Sequence, residues 1–507
     1  AGLVAACTLA WGGDVRFDAE VAPHAQVRLL AGHQHRGAER HLGAGERFET
    51  PHALWVWSAA GIGPTSRALH GYARRHVVRD GEGTRATVVN TWEALFFDLS
   101  PDALAAQVDA AAELGGELFL LDDGWFGSAH PRDDDTTSLG DWEVDRRKLP
   151  DGLQPIIDRT LGRGLRFGLW VEPEMVNPRS ARYEAHPDWV IGEPGRDRRE
   201  ERNQLVLDLC QPEVREFVVD VIDGVLAEHP GISYLKWDAN RDLTEPGSSA
   251  LPPDRQSHLH VDRVAATWAV MDEVARRHPD VELMLCASGG GRSDLGTLGR
   301  FHELWTSDNT DPVDRVRIQW GASHLLPASV LAAHVTRWGG RPFEFACAVA
   351  MSGRFGFDVD LRTLTDEERA VAREATATYR RIRHLVQHGD VHRLVSPVGS
   401  DRCAIAHVAP DRREAVVFAY RLPGDDGNEG GTGTTGTGTT GTATTATGTT
   451  GRGEGEIALP WLDAGGSYDV EVLAPGSVEP PTPLDAATLS WPTAPAPSAR
   501  VALVTRR

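Results

Sequence analysis

The alternation of hydrophobic and polar positions changes character twice along this chain. Residues 1 to about 80 alternate and turn like β structure. Gly12-Gly13-Asp14 separates an apolar run over 4–11 from Val15–Val21, and Val27-Arg28-Leu29-Leu30 and Leu54-Trp55-Val56-Trp57 follow. From about Thr84 a different unit repeats: apolar strand, polar strand end, helix-length segment. The candidate strands are 86–99 (ending near Asn90-Thr91-Trp92), 118–121, 167–171, 205–209, the stretch entered through Ile232, Tyr234 and Leu235, 283–288, 303–306 and 346–351. Helical spacing fills the gaps at 101–114, with Pro101 at its start and Gly115-Gly116 at its end, and at 212–229 and 261–278. Eight such units in succession predict an α/β fold with a closed (β/α)8 TIM barrel; an open doubly wound sheet is the competing arrangement. After a helix at 366–388, short β segments at 404–408, 415–420, 468–473 and 501–504 predict a small antiparallel domain.

The pattern thus divides the chain into the C-terminal remainder of an N-terminal β-sandwich domain (1–80), a catalytic barrel (81–390) and a C-terminal β-sandwich domain (391–507). Within the last, 430–451 is a low-complexity Gly/Thr/Ala loop that cannot bury apolar surface. A length of 507 residues is too great for one core, in keeping with several domains. No apolar run is long enough to span a bilayer. The net charge of −21 argues against a nucleic-acid or anionic-membrane partner. Five scattered cysteines read as reduced thiols of a cytoplasmic protein. The apolar start lacks the basic region of a signal peptide, and without an initiating Met the chain reads as a fragment. Fifteen Trp stand against six Tyr; indole faces pack on the C–H faces of sugars, though Trp is also ordinary core material.

Barrel strands deliver their C-terminal ends to one pocket, which here collects Asp122, Asp123, Trp170, Glu172, Lys236, Asp238, Cys286, Arg292 and Asp308. The stretch Tyr234-Leu235-Lys236-Trp237-Asp238-Ala239-Asn240-Arg241 anchors this reading. It holds one of only two lysines in the chain (the other is Lys148), and Lys236, Asp238 and Asn240 share a strand face. A strand-end salt bridge would also account for the same residues. Carboxylates and tryptophans with almost no histidine, the nearest being His302, fit a sugar site better than a metal site. Glycoside cleavage needs two carboxyl groups, about 5–5.5 Å apart in retaining enzymes. Asp238 beside Lys236 suits an ionised nucleophile. Asp308, flanked by Ser307 and Asn309 and near Asp311, is the better candidate for a raised pKa. Three alternatives stand beside this: a phosphate cradle at Gly289-Gly290-Gly291 (which no Lys-Ser/Thr follows), a helix N-cap at Asp122-Asp123, and a core thiol at Cys286.

Six motifs resemble the retaining α-galactosidases of glycoside hydrolase family 36. They are Leu121-Asp122-Asp123-Gly124-Trp125-Phe126-Gly127, Trp170-Val171-Glu172-Pro173-Glu174-Met175-Val176, Arg202-Asn203-Gln204-Leu205-Val206-Leu207-Asp208, Lys236-Trp237-Asp238-Ala239-Asn240-Arg241, Cys286-Ala287-Ser288-Gly289-Gly290-Gly291-Arg292 and Ser307-Asp308-Asn309-Thr310-Asp311. The resemblance implies Asp238 as nucleophile and Asp308 as acid/base. It implies Asp122 and Asp123 on the galactose 4- and 6-hydroxyls, and Arg202 and Lys236 on the 3- and 4-hydroxyls. Cys286 and the turn through Gly289 face the 2-hydroxyl, while Trp170, Asn240 and Arg292 complete the substrate site. It implies hydrolysis of small α-1,6-galactosides such as melibiose and raffinose, no cofactor or metal, and a homo-oligomer (dimer or tetramer) at full length. Two features depart from the family: only the last part of its large N-terminal β-sandwich is visible, and Ala239 stands where Met is common. An α-N-acetylgalactosaminidase or a raffinose-synthase-like transferase uses the same scaffold, but Cys286 leaves little room for a 2-acetamido group. From other classes, Asp122, Glu172, Asp208 and Asp238 could hold Mg²⁺ as in enolase-type barrels, or the pocket could bind sugar without catalysis.

Overall fold

The computed structural model describes residues 2–127, 129–193, 195–424, 456–463, 466–473, 479–484 and 487–507. The low-complexity segment 430–451 lies outside the described residues. Eight parallel strands form the centre: Val88–Asn90, Leu118–Leu121, Arg166–Val171, Ile232–Trp237, Glu282–Leu285, Glu303–Trp305, Leu331–Val335 and Arg354–Phe357. Each pairs with its neighbours in chain order, and the last returns to the first through Gly356↔Val88 and Phe357↔Val89, closing the barrel. That closure excludes the open sheet.

The near-continuous apolar strands follow from burial on both faces. In Leu118–Leu121 all four side chains are buried. Phe119 and Leu121 pack outward into the helix layer, whereas Leu118 and Leu120 point inward with Val88, Tyr234, Met284, Cys286, Trp305 and Ala332. The helix Pro101–Glu113 starts at the Ser100 side chain, which accepts from the Ala103 amide, and Pro101 follows at the first helical position. Its Leu104 and Val108 are fully buried, each contributing about 1.5–3 kcal/mol of hydrophobic stabilisation. Lower in the barrel Arg354 and Glu303, both buried, pair at 2.7 Å, and the Tyr234 hydroxyl donates to the same carboxylate.

Six of the eight expected strands are in the barrel; two are not. The run 205–209 forms only the short strand Leu205–Val206, paired antiparallel with Met175–Val176 outside the barrel. The run 346–351 is helix, part of Phe343–Ala350, and the true seventh and eighth strands are Leu331–Val335 and Arg354–Phe357. The reason is common to both errors: a short apolar run buried all round has the composition of a parallel strand, so periodicity cannot separate the cases. The first strand is also shorter than 86–99, because Trp92–Leu95 turns helical.

Ahead of the barrel, Val4–Leu9 pairs with Ala53–Ser58 and Val15–Val21 with Val27–His33, both antiparallel. Ile62–His76, in the stretch expected to be β, is a helix. After the barrel, the capped helix Asp366–His388 leads into a six-stranded sheet. Its strands include Arg402–Val408, Glu414–Arg421, Tyr468–Val472 and Ser498–Arg506, which contain or overlap the four short β segments read from sequence. That sheet has its own core around Val417, Trp461, Trp491 and Val504. Among the described residues no helix is long and apolar enough to cross a membrane.

Candidate active site

The C-terminal strand ends surround a cavity of about 360 Å³. Its walls include Asp122, Asp123, Trp170, Glu172, Arg202, Lys236, Asp238, Asn240 and Asp308. A larger cavity of about 650 Å³ opens beside it and shares Arg202 and Asn240, but neither Asp238 nor Asp308 lines it. The smaller cavity is the candidate site because the carboxylates converge there.

Asp238 follows the fourth strand directly, and three donors fix its carboxylate. The Ala239 amide donates to Oδ1 at 2.9 Å, while Trp170 Nε1 and Asn240 Nδ2 donate to Oδ2 at 3.1 and 2.9 Å. Asn240 is itself held: its Oδ1 accepts from the Ser288 amide at 3.0 Å. Lys236 does not pair with Asp238 as its spacing suggests. Its ammonium donates to Asp122 Oδ2 at 2.8 Å, over the intervening strand Arg166–Val171. Burial opposes the charge on Lys236, but the carboxylate of Asp122, reinforced by Asp238, outweighs it and holds the ammonium above its ordinary range. Asp123 receives a two-pronged grip from Arg132, at 3.0 and 2.6 Å. The dipeptide Asp122-Asp123 therefore points two charge-paired carboxylates into the pocket and caps no helix.

Asp308 lies at the exposed rim, where Trp305 Nε1 donates to Oδ1 at 2.9 Å. Crowding by surrounding protein and then repulsion from Asp238 push its carboxyl above the ordinary aspartate value, although Lys236, the Trp305 bond and Arg202 pull the other way. Glu172 is fully buried behind Asp238, accepting from the Asn240 amide and from Gln204 Nε2. Burial first, and the charge of Asp238 second, raise it from 4.5 to about 8. Between 4.5 and about 8 the folded protein keeps a proton here that the unfolded chain has released. Stability supplied by that protonated group is complete below the lower value and is lost as pH rises through the upper one. Wild-type melting temperature should decline across that window and Glu172→Gln should flatten the decline; an unaltered slope in the variant would rule Glu172 out as its source.

The remaining sequence candidates are less uniform. Arg202 reaches the rim with a left-handed backbone (φ 51°) and donates to Ser288 Oγ at 2.8 Å. Such backbone in a non-glycine residue costs on the order of 1–2 kcal/mol and clusters at functional sites. Cys286 belongs to the buried layer inside the barrel, directly beneath the pocket, where burial and then Asp238 keep the thiol protonated. Arg292 is not in this pocket: it pairs with Glu174 at 2.8 Å and lines the neighbouring cavity. Gly289 is not on the wall either. It has φ 83°, and a Cβ there would lie 2.6 Å from Ser307 Cα, so glycine lets the turn approach the segment carrying Asp308. Asp208 is also outside, bonded by Ser248 Oγ and Gln211 Nε2, which dismantles the four-carboxylate Mg²⁺ set.

Sequence reasoning missed Glu93, Arg132, Trp305, Trp338 and Asp358, which all line the cavity. Burial, with the charge of Asp308 contributing, lifts Glu93 to about 7 despite its bond from Thr310. Asp358 accepts from Asn90 Nδ2 at 2.9 Å and from the Glu93 amide at 2.8 Å.

Eight parallel strands closing on a bowl of carboxylates, with an indole against the central one, define a barrel protein with a carboxylate-lined cavity at its C-terminal strand ends. The melibiase family model matches residues 47–389, and the chain belongs to that family. Alpha-galactosidase AgaA of Geobacillus stearothermophilus is 43% identical over 389 residues, 75% of this chain and 53% of that protein. Alpha-galactosidase 1 of Pediococcus pentosaceus is 38% identical over 422 residues, 82% of this chain and 57% of that one. The crystal structure of AgaA, a GH36 alpha-galactosidase, aligns with a TM-score of 0.89 at 36% identity, covering 100% of this chain and 67% of its own. Variants of AgaA have been crystallised with raffinose and with stachyose. The chain spans about half the length of the curated relatives it matches.

Proposed function

We propose that this chain carries the active site of a retaining exo-α-galactosidase, which releases terminal α-D-galactosyl residues from small α-1,6-galactosides such as melibiose and raffinose. The observation that carries this reading is the contrast between two carboxyls on one cavity: Asp238, fixed by three donors, and Asp308, exposed at the rim with its pKa raised. Asp238 attacks the anomeric carbon as Asp308 protonates the departing glycosidic oxygen. Asp308, now a carboxylate, then takes a proton from water, which opens the galactosyl ester with a second inversion. Asp122 and Asp123 accept from the 4- and 6-hydroxyls, while Lys236 and Arg202 donate toward the 3- and 4-oxygens. Since the two aspartates are already charge-paired with Lys236 and Arg132, an axial 4-hydroxyl is matched by a preset acceptor. The 4-epimer leaves that acceptor unmatched, a loss that can cost several orders of magnitude in selectivity.

The same pairing argues against an enolase-type Mg²⁺ site, because Asp122 and Asp123 are committed to cations of the protein. The reduced cysteines support a cytoplasmic setting. The shorter length relative to the curated relatives leaves homo-oligomerisation as part of the proposal for the whole protein.

The test is nitrophenol release from 4-nitrophenyl α-galactoside in excess EDTA, with the α-glucoside as control. Release from the galactoside alone is expected. Equal release from both, or release abolished by EDTA, would contradict the reading.

A further inference from the structure

The indole of Trp338 stands at the rim of the catalytic cavity with 54% of its surface exposed. An exposed tryptophan on a mobile tip would be commonplace, but this loop is fastened at both ends. On one side Arg337 makes a two-pronged ion pair with Glu368, at the start of the long helix Asp366–His388. On the other, Arg341 grips Asp311, with Nε 3.2 and 3.1 Å from its two oxygens and one terminal nitrogen at 2.9 Å. Asp311 also caps the helix Pro312–Ala322, accepting from the Val313 amide at 2.8 Å. The Trp338 amide bonds Thr336 Oγ1 at 3.2 Å. Between the two anchors, Gly339 adopts φ 72°, and a Cβ there would lie 2.0 Å from Asp311 Oδ2. Only glycine lets this loop close down on Asp311.

Asp311 is three residues beyond Asp308, so the Trp338 loop is braced against the very segment that carries the candidate acid. A general acid must reach the leaving-group oxygen, and the sugar bearing that oxygen departs on the acid's side of the pocket. A rigid indole there offers a flat apolar surface of low conformational cost. We infer that Trp338 is the stacking platform for the leaving-group sugar, binding the C–H face of a neutral pyranose such as the glucosyl unit of melibiose or raffinose. This rests on the α-galactosidase reading and deepens it, because it assigns selectivity for the departing group to a residue outside the galactose contacts.

The test compares two substrates of the full chain that share galactose and differ in what leaves: raffinose, which leaves sucrose, and α-galactosyl fluoride, which leaves no sugar. For Trp338→Ala the ratio of kcat/KM on raffinose to that on the fluoride should fall about tenfold, mostly through KM, since stacking acts on binding of the leaving sugar. Trp338→Phe should restore most of the ratio. An unchanged ratio, with both substrates losing equally or neither losing, would overturn the assignment. A wild-type chain that cleaves neither substrate would overturn the α-galactosidase reading itself, and that result is distinct from a turned-over fluoride with an unchanged ratio.

Discussion

Asp238→Ala should lower turnover of 4-nitrophenyl α-galactoside by on the order of 10⁴-fold or more, and azide should recover part of it. Three donors aim the Asp238 carboxylate, and substitution leaves that aim in place around a void: Trp170 Nε1, Asn240 Nδ2 and the Ala239 amide still point at it. A small anion can enter and attack the anomeric carbon from the same face. Because no second displacement follows, the product is β-galactosyl azide, inverted relative to the substrate. Azide rescue that gave the α-azide, or no rescue in a variant that still binds galactose, would count against Asp238 as nucleophile.

Asp308→Ala should show a different signature, in which the loss depends on how much help the leaving group needs. For raffinose, whose departing alkoxide requires a proton, kcat/KM should fall about 10²–10⁴-fold. For α-galactosyl fluoride, which departs without one, the fall should be far smaller. The pH profile supplies an independent check. Crowding by the surrounding protein and the neighbouring Asp238 raise the Asp308 carboxyl, so it is still protonated at pH values where an ordinary aspartate is not. The acid form is needed for attack on substrate, so wild-type kcat/KM for raffinose should fall as pH rises through that raised value. The alanine variant should lose this limb; retaining it would assign the titration to another raised carboxyl of the cavity, Glu93 or Glu172.

How much of the site is legible in the sequence depends on local chemistry. Lys236, Asp238 and Asn240 are legible because a buried strand rarely runs straight into charge unless a site or an ion pair lies at its end. The residues after Leu118–Leu121 and Arg166–Val171 repeat the theme. The partner of Lys236 is not legible: proximity in sequence points to Asp238, whereas the curvature of the sheet over the intervening strand Arg166–Val171 brings Asp122 within 2.8 Å. Arg132 lies in a long loop with no periodicity, yet it comes within 2.6 Å of Asp123. Asp358 is hidden along with its strand, Arg354–Phe357, since the more apolar helix Phe343–Ala350 draws the strand assignment away from it. Arg292 shows the converse. It sits in a matching motif, but its side chain turns from the pocket to pair with Glu174. A motif locates a backbone segment, and only the packed structure decides where each side chain of it goes.

A nucleophilic Asp238 must form a covalent bond to galactose. The most direct measurement is incubation with 2-deoxy-2-fluoro-α-galactosyl fluoride, whose electronegative 2-substituent slows both steps while the good leaving group preserves the first, followed by proteolysis and peptide mass mapping. A fluorogalactosyl adduct on the peptide containing Asp238, absent from Asp238→Ala, is the predicted result. An adduct on the Asp308 peptide instead, or none from a chain that turns over α-galactosides, would contradict it.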